Sequence, residues 1–191
     1  MLHTDDALRV MHDPLSYYRP WLQRAESLRA RQRSALNGWL VRTHALRDPT
    51  PLTGDQAAVA DRLLAHWPRL PATAWLMACA KQRRVLMGSR VLLGQPPVVH
   101  AFLRLGFAEA SQPLRVPLQP DDLLAWGGDH LQRGLRDRIP DWLADRLRLC
   151  FSGLPPPPSH GVDANEFDMT CFWSAWNHAA DLPGTAVGLR R

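Results

Sequence analysis

The sequence predicts an all-α fold, a single compact domain of six or seven helices joined by proline-rich connections. Three observations carry that expectation. Apolar residues recur at helical intervals of three, four and seven over most of the chain. Prolines fall between those runs rather than inside them. No convincing run of alternating β-branched residues exists, and the best strand candidate, LRVPL, is weakened by its own proline.

The first helix is expected after Pro20, a favourable first helical position. Its stripe runs through Trp21, Ala25, Leu28, Ala35, Leu36, Trp39, Leu40 and Leu46, with Gln32 the one gap. DPTPLTG, residues 48 to 54, ends it. Asp55 caps a second helix that carries Val59, Leu63 and Trp67 inward, closed by Pro68 and Pro71. A third covers roughly 72 to 93 with Trp75, Leu76, Cys79, Leu86, Met87 and Leu93, and Gly88 is its weak point. PPVVHAFLRLGF opens a fourth at Pro96 and Pro97, with Val99, Phe102 and Leu103 pointing inward.

SQPLRVPLQP, residues 111 to 120, is too rich in proline for a helix and is expected to run extended over the surface. Asp121 or Asp122 then caps a fifth helix with Leu124, Leu131, Leu135 and Ile139 inward, kinked or split at Gly127 and Gly128. A sixth starts at Pro140 and buries Trp142 or Leu143, Leu147 and Cys150. GLPPPPSHG is a stiff polyproline spacer. Asp163 or Asn165 caps the last helix, EFDMTCFWSAWNHAA. The expected organisation is a main helical domain over 1–152, the spacer over 153–161, an aromatic helix over 162–180 packing back on the domain, and a mobile tail over 181–191.

Hydrophobic content of 46% and charged content of 21% describe a globular chain with a real core. No apolar run approaches the ~18 residues of a membrane span. The opening MLHTDDALRV carries two aspartates and no apolar block, unlike a secretory signal, so a cytoplasmic protein is expected. Cys79, Cys150 and Cys171 lie far apart in apolar surroundings and read as buried, reduced thiols.

Of 23 basic residues only Lys81 is lysine, a bias that a GC-rich genome explains as well as function does. The distribution of charge says more. Residues 19 to 47 hold seven arginines against Glu26, and residues 69 to 115 hold seven basic groups against Glu109. Residues 116 to 191 hold seven basic and ten acidic groups. Such a polar molecule can present one face to an acidic partner and another to something different.

Motifs for chemistry are missing from the sequence. It contains no Walker pattern, dinucleotide fingerprint, G-x-S-x-G elbow or H-E-x-x-H, and no two of its eight histidines share metal-ligand spacing on a helix. WGGDHL, with Asp129 beside His130, is the nearest approach to a site. Neighbours on a helix do not face each other, so a kink with a solvated pair is the better reading. No catalytic residue, metal or cofactor is expected. An arginine-rich helix over 20–47 offers an alternative function, nucleic-acid binding. Against it, Trp39, Trp67 and Trp75 read as core residues, and the arginines do not gather on one narrow edge.

The remaining class is an interaction protein, and here DPLSYYRPWL stands out because it holds both tyrosines of the chain. Tyr17, Tyr18 and Trp21 form a candidate apolar contact, and Arg83, Arg84 and Arg90 a candidate second one. In an extended segment the adjacent tyrosines point to opposite sides, one inward and one outward.

The proline–tyrosine–proline–tryptophan order of DPLSYYRPWL resembles the N-terminal signature of SctK-type sorting-platform accessory proteins of bacterial type III secretion systems. WLMACAKQRRVLMGSRVLL is similar to that family's Leu/Cys-rich helix followed by a glycine and a basic turn, and CFWSAWNHA to its aromatic C-terminal helix. The resemblance implies a non-enzymatic cytoplasmic adaptor without cofactor or small-molecule substrate. Its implied partners are the forkhead-associated-like cytoplasmic domain of the inner-membrane ring protein and the platform pod protein.

Overall fold

The computed structural model describes residues 5–110, 119–157 and 167–182. Those residues form ten α-helices and several short 3-10 turns, with no strand among them, so the all-α expectation holds. The helices outnumber the expected six or seven because two long predicted helices are each broken and the helix at Asp5–His12 was not expected. The chain sorts into two compact units, one of residues 1–68 and 134–153, the other of 69–133 and 154–191.

The first unit opens with α1 (Asp5–His12), whose aspartates in the first turn suit the positive end of the helix dipole. Two 3-10 turns, Pro14–Ser16 and Arg19–Trp21, lead into the single turn of α2 (Leu22–Ala25). The predicted helix from Trp21 to Leu46 is therefore interrupted. The Ser27 hydroxyl donates to the Arg24 carbonyl at 2.9 Å, and this local bond competes with helix continuation. Arg29 is extended, and its N–H donates to the Gln32 side chain at 3.0 Å, which starts α3 (Ala30–Thr43) afresh. The one-residue offset turns Trp39 outward, 43% exposed, while Leu40 is buried.

α4 (Gln56–Ala65) begins after Asp55, as expected, although the Asp55 side chain makes no cap bond. Leu63 is fully buried, and Trp67 is buried in the turn that follows. α9 (Asp141–Cys150), which starts after Pro140, buries Trp142, Leu143, Leu147 and Cys150.

The second unit is built on α5 (Leu70–Lys81), in which every residue from Ala72 to Lys81 is buried. A helix apolar on all sides belongs at the centre of its layer. Pro71 sits in its first turn instead of ending the helix before it. The predicted run to residue 93 breaks at Gln82, giving the short α6 (Arg83–Leu86) and a 3-10 turn over Arg90–Leu92. Met87 and Leu93 are left 73% and 74% exposed.

α7 (Pro97–Leu103) buries Val99, Phe102 and Leu103, as its pattern predicts. α8 (Pro120–Leu135) is continuous through the two glycines, so the expected kink is absent. Gly127 serves a close approach: a Cβ there would lie 2.0 Å from the Ala74 carbonyl oxygen. α10 (Met169–His178) packs against α5. Its cap is Asp168, whose carboxylate accepts from the N–H groups of Thr170 and Cys171 at 2.8 and 3.1 Å. The proposed caps Asp163 and Asn165, the expected surface run over 111–118, the connection over 158–166 and the tail from 183 lie outside the described residues.

Candidate partner-binding sites

In the first unit, DPLSYYRPWL is folded into two proline-led turns and anchored from both ends. Asp13 is gripped by α3. Arg33 Nε donates to both carboxylate oxygens at 3.1 Å, and Asn37 Nδ2 donates to Oδ1 at 2.7 Å. The Asn37 side-chain oxygen in turn accepts from the Leu15 N–H at 2.9 Å. A planar guanidinium on a carboxylate fixes orientation as well as distance.

Tyr17 turns inward and is only 6% exposed. Its hydroxyl donates to the Val10 carbonyl at 3.0 Å, and its ring meets Trp67 edge to face at 5.6 Å. Burial pushes the phenol well above its usual range, with Arg146 opposing the shift. Tyr18 is half-buried, its ring 5.5 Å from that of His44. Trp21 is likewise half-buried and precedes the helix instead of starting it. Both pack on the cluster of Leu15, Ala25 and Leu40. The Arg24 guanidinium lies 5.8 Å over the Trp21 ring. Tyr18 and Trp21 therefore combine a seated apolar base with solvent-facing surface, whereas Tyr17 is engaged with Trp67 and the Val10 carbonyl.

Arg146, which no motif singles out, holds the N-terminal segment. It is 3% exposed and donates to four carbonyls: Val10 at 3.0 Å, Met11 at 3.2 Å, Arg47 at 2.8 Å and Trp142 at 2.9 Å. Its guanidinium also lies 5.2 Å over the Trp142 ring. Burial lowers its pKa, and Tyr17 and Asp145 work in the other direction. Arg47 pairs with Asp141 and, at 3.1 Å, with the buried Asp145. A cleft of about 670 Å³ opens between α3 and the Met11–Asp13 segment, lined also by Asp48 and Arg146.

In the second unit the three arginines behave differently from one another. Arg83 and Arg84 share Glu109, at 3.3 and 3.4 Å, and Arg83 also donates to the Leu103 carbonyl. Arg84 remains 88% exposed in spite of its pair, and Arg90 is exposed in its 3-10 turn. Exposed Met87 follows Arg83 by one helical turn, so charge and apolar surface adjoin.

WGGDHL departs from its expected form. His130 is buried, stacked on Trp126 at 5.1 Å and tilted against Phe167 at 5.2 Å. Asp129 pairs along the helix with Arg133. There is no solvated Asp–His pair, because the uninterrupted α8 turns the imidazole into the aromatic layer. The three cysteines are buried and unpaired, with burial raising Cys79 and pushing Cys150 and Cys171 up to about 12. Among the described residues no group of His, Cys, Asp and Glu could hold a metal ion, and no helix is long and apolar enough to cross a membrane.

Comparison with known proteins places these surfaces in context. Residues 7–181 match a family of bacterial type III secretion apparatus proteins, OrgA_MxiK. The oxygen-regulated invasion protein OrgA of Salmonella typhimurium, in strains 14028s, SL1344 and LT2, is 29% identical over 184 residues. That alignment covers 93% of this chain and 88% of the Salmonella protein. No solved structure matches.

Proposed function

This chain belongs to the OrgA_MxiK family of bacterial type III secretion apparatus proteins, as its resemblance to SctK-type proteins implied, and on that premise we propose that it is an adaptor of the sorting platform. It links the cytoplasmic domain of the inner-membrane ring protein to the platform pod protein. It acts in the cytoplasm at the inner membrane, which it meets through those partners, and it performs no catalysis. One observation supports the reading beyond family membership: each compact unit carries a candidate contact cluster that reaches solvent. The first offers Tyr18 and Trp21, seated on Leu15, Ala25 and Leu40. The second offers Arg84 and Arg90 beside Met87, with Arg83 holding the turn through Glu109. An apolar aromatic surface and an arginine-rich one suit two different partners.

The nucleic-acid alternative draws less support. Two arginines of the 20–47 run, Arg33 and Arg47, are committed to Asp13, Asp141 and Asp145, so fewer remain to neutralise phosphates. The test is a pull-down of the folded chain with each purified partner separately. Binding of both supports the adaptor; failure to bind either overturns it.

A further inference from the structure

The outward face of α3 is a surface that the sequence pattern assigns to the core and the fold turns to solvent. Arg31, Ala35, Trp39 and Arg42 follow one another at intervals of four, four and three, which places them on one stripe of the helix. All four are exposed, and Trp39 keeps 43% of its surface in water. An exposed tryptophan on a regular helix, flanked by arginines and a small residue, has the composition of an interface hot spot. Neither Arg31 nor Arg42 enters an ion pair among the described residues, unlike Arg33 and Arg47 on the same run. From Leu28 to Arg47 the sequence holds no acidic residue, so the stripe is positive along its whole length. Ser34 and Gly38, one position before Ala35 and Trp39, line the cleft beside it.

We propose that this face of α3 seats an acidic helical segment of one secretion-system partner, with Trp39 as the apolar anchor and Arg31 and Arg42 pairing with carboxylates one to two turns away on either side. Charge complementarity selects this occupant. A protein helix supplies apolar side chains and acidic groups at the spacing the stripe presents, whereas two unpaired arginines and one ring give little hold on a polyphosphate. The small Ala35, together with Gly38 at the cleft edge, lets a partner helix approach closely between the larger side chains. The inference deepens the adaptor reading and rests on it.

The test uses the full chain, wild type and two variants, Trp39→Ala and the double change Arg31→Glu/Arg42→Glu, with the purified ring cytoplasmic domain and the pod protein. Because these side chains are exposed, circular dichroism and urea melts should match wild type, and a variant that does not match is replaced by Trp39→Gln or Arg31→Gln/Arg42→Gln. Affinity for one of the two partners should fall about thirtyfold or more in Trp39→Ala. In the double variant it should fall with a flattened salt dependence. Wild-type binding to neither partner overturns the adaptor reading itself. Wild-type binding that both variants retain leaves the adaptor standing and overturns the role of this face. Binding of a short single-stranded DNA that is lost with the arginine change and kept by Trp39→Ala would also overturn it, in favour of phosphate recognition.

Discussion

Replacing Gly127 by alanine should destabilise the protein, although alanine is the better helix former. The added Cβ would stand 2.0 Å from the Ala74 carbonyl oxygen, 2.6 Å from its carbon and 3.3 Å from its Cα. Normal contact lies near 3.5 Å, and the obstacle is backbone, so no side-chain rotation can relieve the clash. α8 and α5 must separate by more than an ångström, in a region where Leu123, Leu124, Trp126 and Leu131 are all buried. Overpacking of this kind costs about 3 kcal/mol, against a helix-propensity gain of about 1 kcal/mol, so a net loss of ~2 kcal/mol is expected. Gly38 in α3 is the internal control. There a Cβ meets only the Arg42 guanidinium tip at 3.4 Å, and Gly38→Ala should stabilise by up to ~1 kcal/mol. Urea unfolding followed by circular dichroism reads both, with unchanged slope and midpoints moving in opposite directions. If Gly127→Ala raises the midpoint as Gly38→Ala does, the glycine is not there for helix approach.

Tyr17→Ala should cost about 3–5 kcal/mol as a buried aromatic truncation, and Tyr17→Phe only about 1 kcal/mol for the lost Val10 bond. Tyr18→Ala should weaken partner binding with a smaller stability loss, and equal losses for both tyrosines in urea melts would make the stretch purely structural. Arg146→Met should destabilise by ~3 kcal/mol or more, because four carbonyls lose their donor, and Arg146→Lys should not restore it, since one ammonium cannot reproduce the guanidinium fork. The thiols give a pH prediction. Cys150 and Cys171, pushed from 9.0 up to about 12, stay protonated in the native state when the unfolded chain has begun to lose its protons. Their contribution is therefore whole below about pH 9 and falls above it, at up to ~1.4 kcal/mol per pH unit for each thiol. Urea midpoints that stay flat into the alkaline range would refute it.

Where the sequence was legible, the cause was periodicity over a whole helix. Val99, Phe102 and Leu103, or Leu143 and Leu147, sit where a 3.6-residue repeat puts them. The two long predicted helices failed for a local reason that periodicity does not contain. At Gln82 the backbone leaves helical dihedrals without any side-chain cap bond, and at Ser27 a hydroxyl–carbonyl bond breaks the run so that the stripe resumes out of phase in α3. That phase slip is why Trp39, in register with Trp21 on an unbroken helix, ends in solvent. Gly127 and Gly128 were visible as unusual, but a kink and a close helix approach call for the same residue, and only the position of Ala74 separates them. Of the candidate site, the sequence reading split the tyrosines by assuming an extended segment, whereas two 3-10 turns leave Tyr17 buried and Tyr18 half-buried, and Arg146 lies more than 130 positions from the Val10 and Met11 carbonyls it holds.

The arginine-rich N-terminal region illustrates how a charge run divides once the chain folds. Arg33 closes on Asp13, and Arg47 closes on Asp141 and Asp145. These arginines act within the fold, because a planar, permanently charged fork can satisfy carboxylates and carbonyls at partly buried sites. Exposed pairs of this type add little stability, but the partly buried Arg33–Asp13 grip also fixes where Leu15 and the two tyrosines lie. What remains outward on α3, Arg31 and Arg42 around Trp39, has no such internal task. A run that looks uniform in sequence thus separates into residues that position the aromatic segment and residues left facing solvent. The separation follows from which carboxylates the fold brings within reach, and it makes charge reversal informative: Arg33→Glu should lower stability, whereas Arg31→Glu/Arg42→Glu should leave stability in place and alter binding alone.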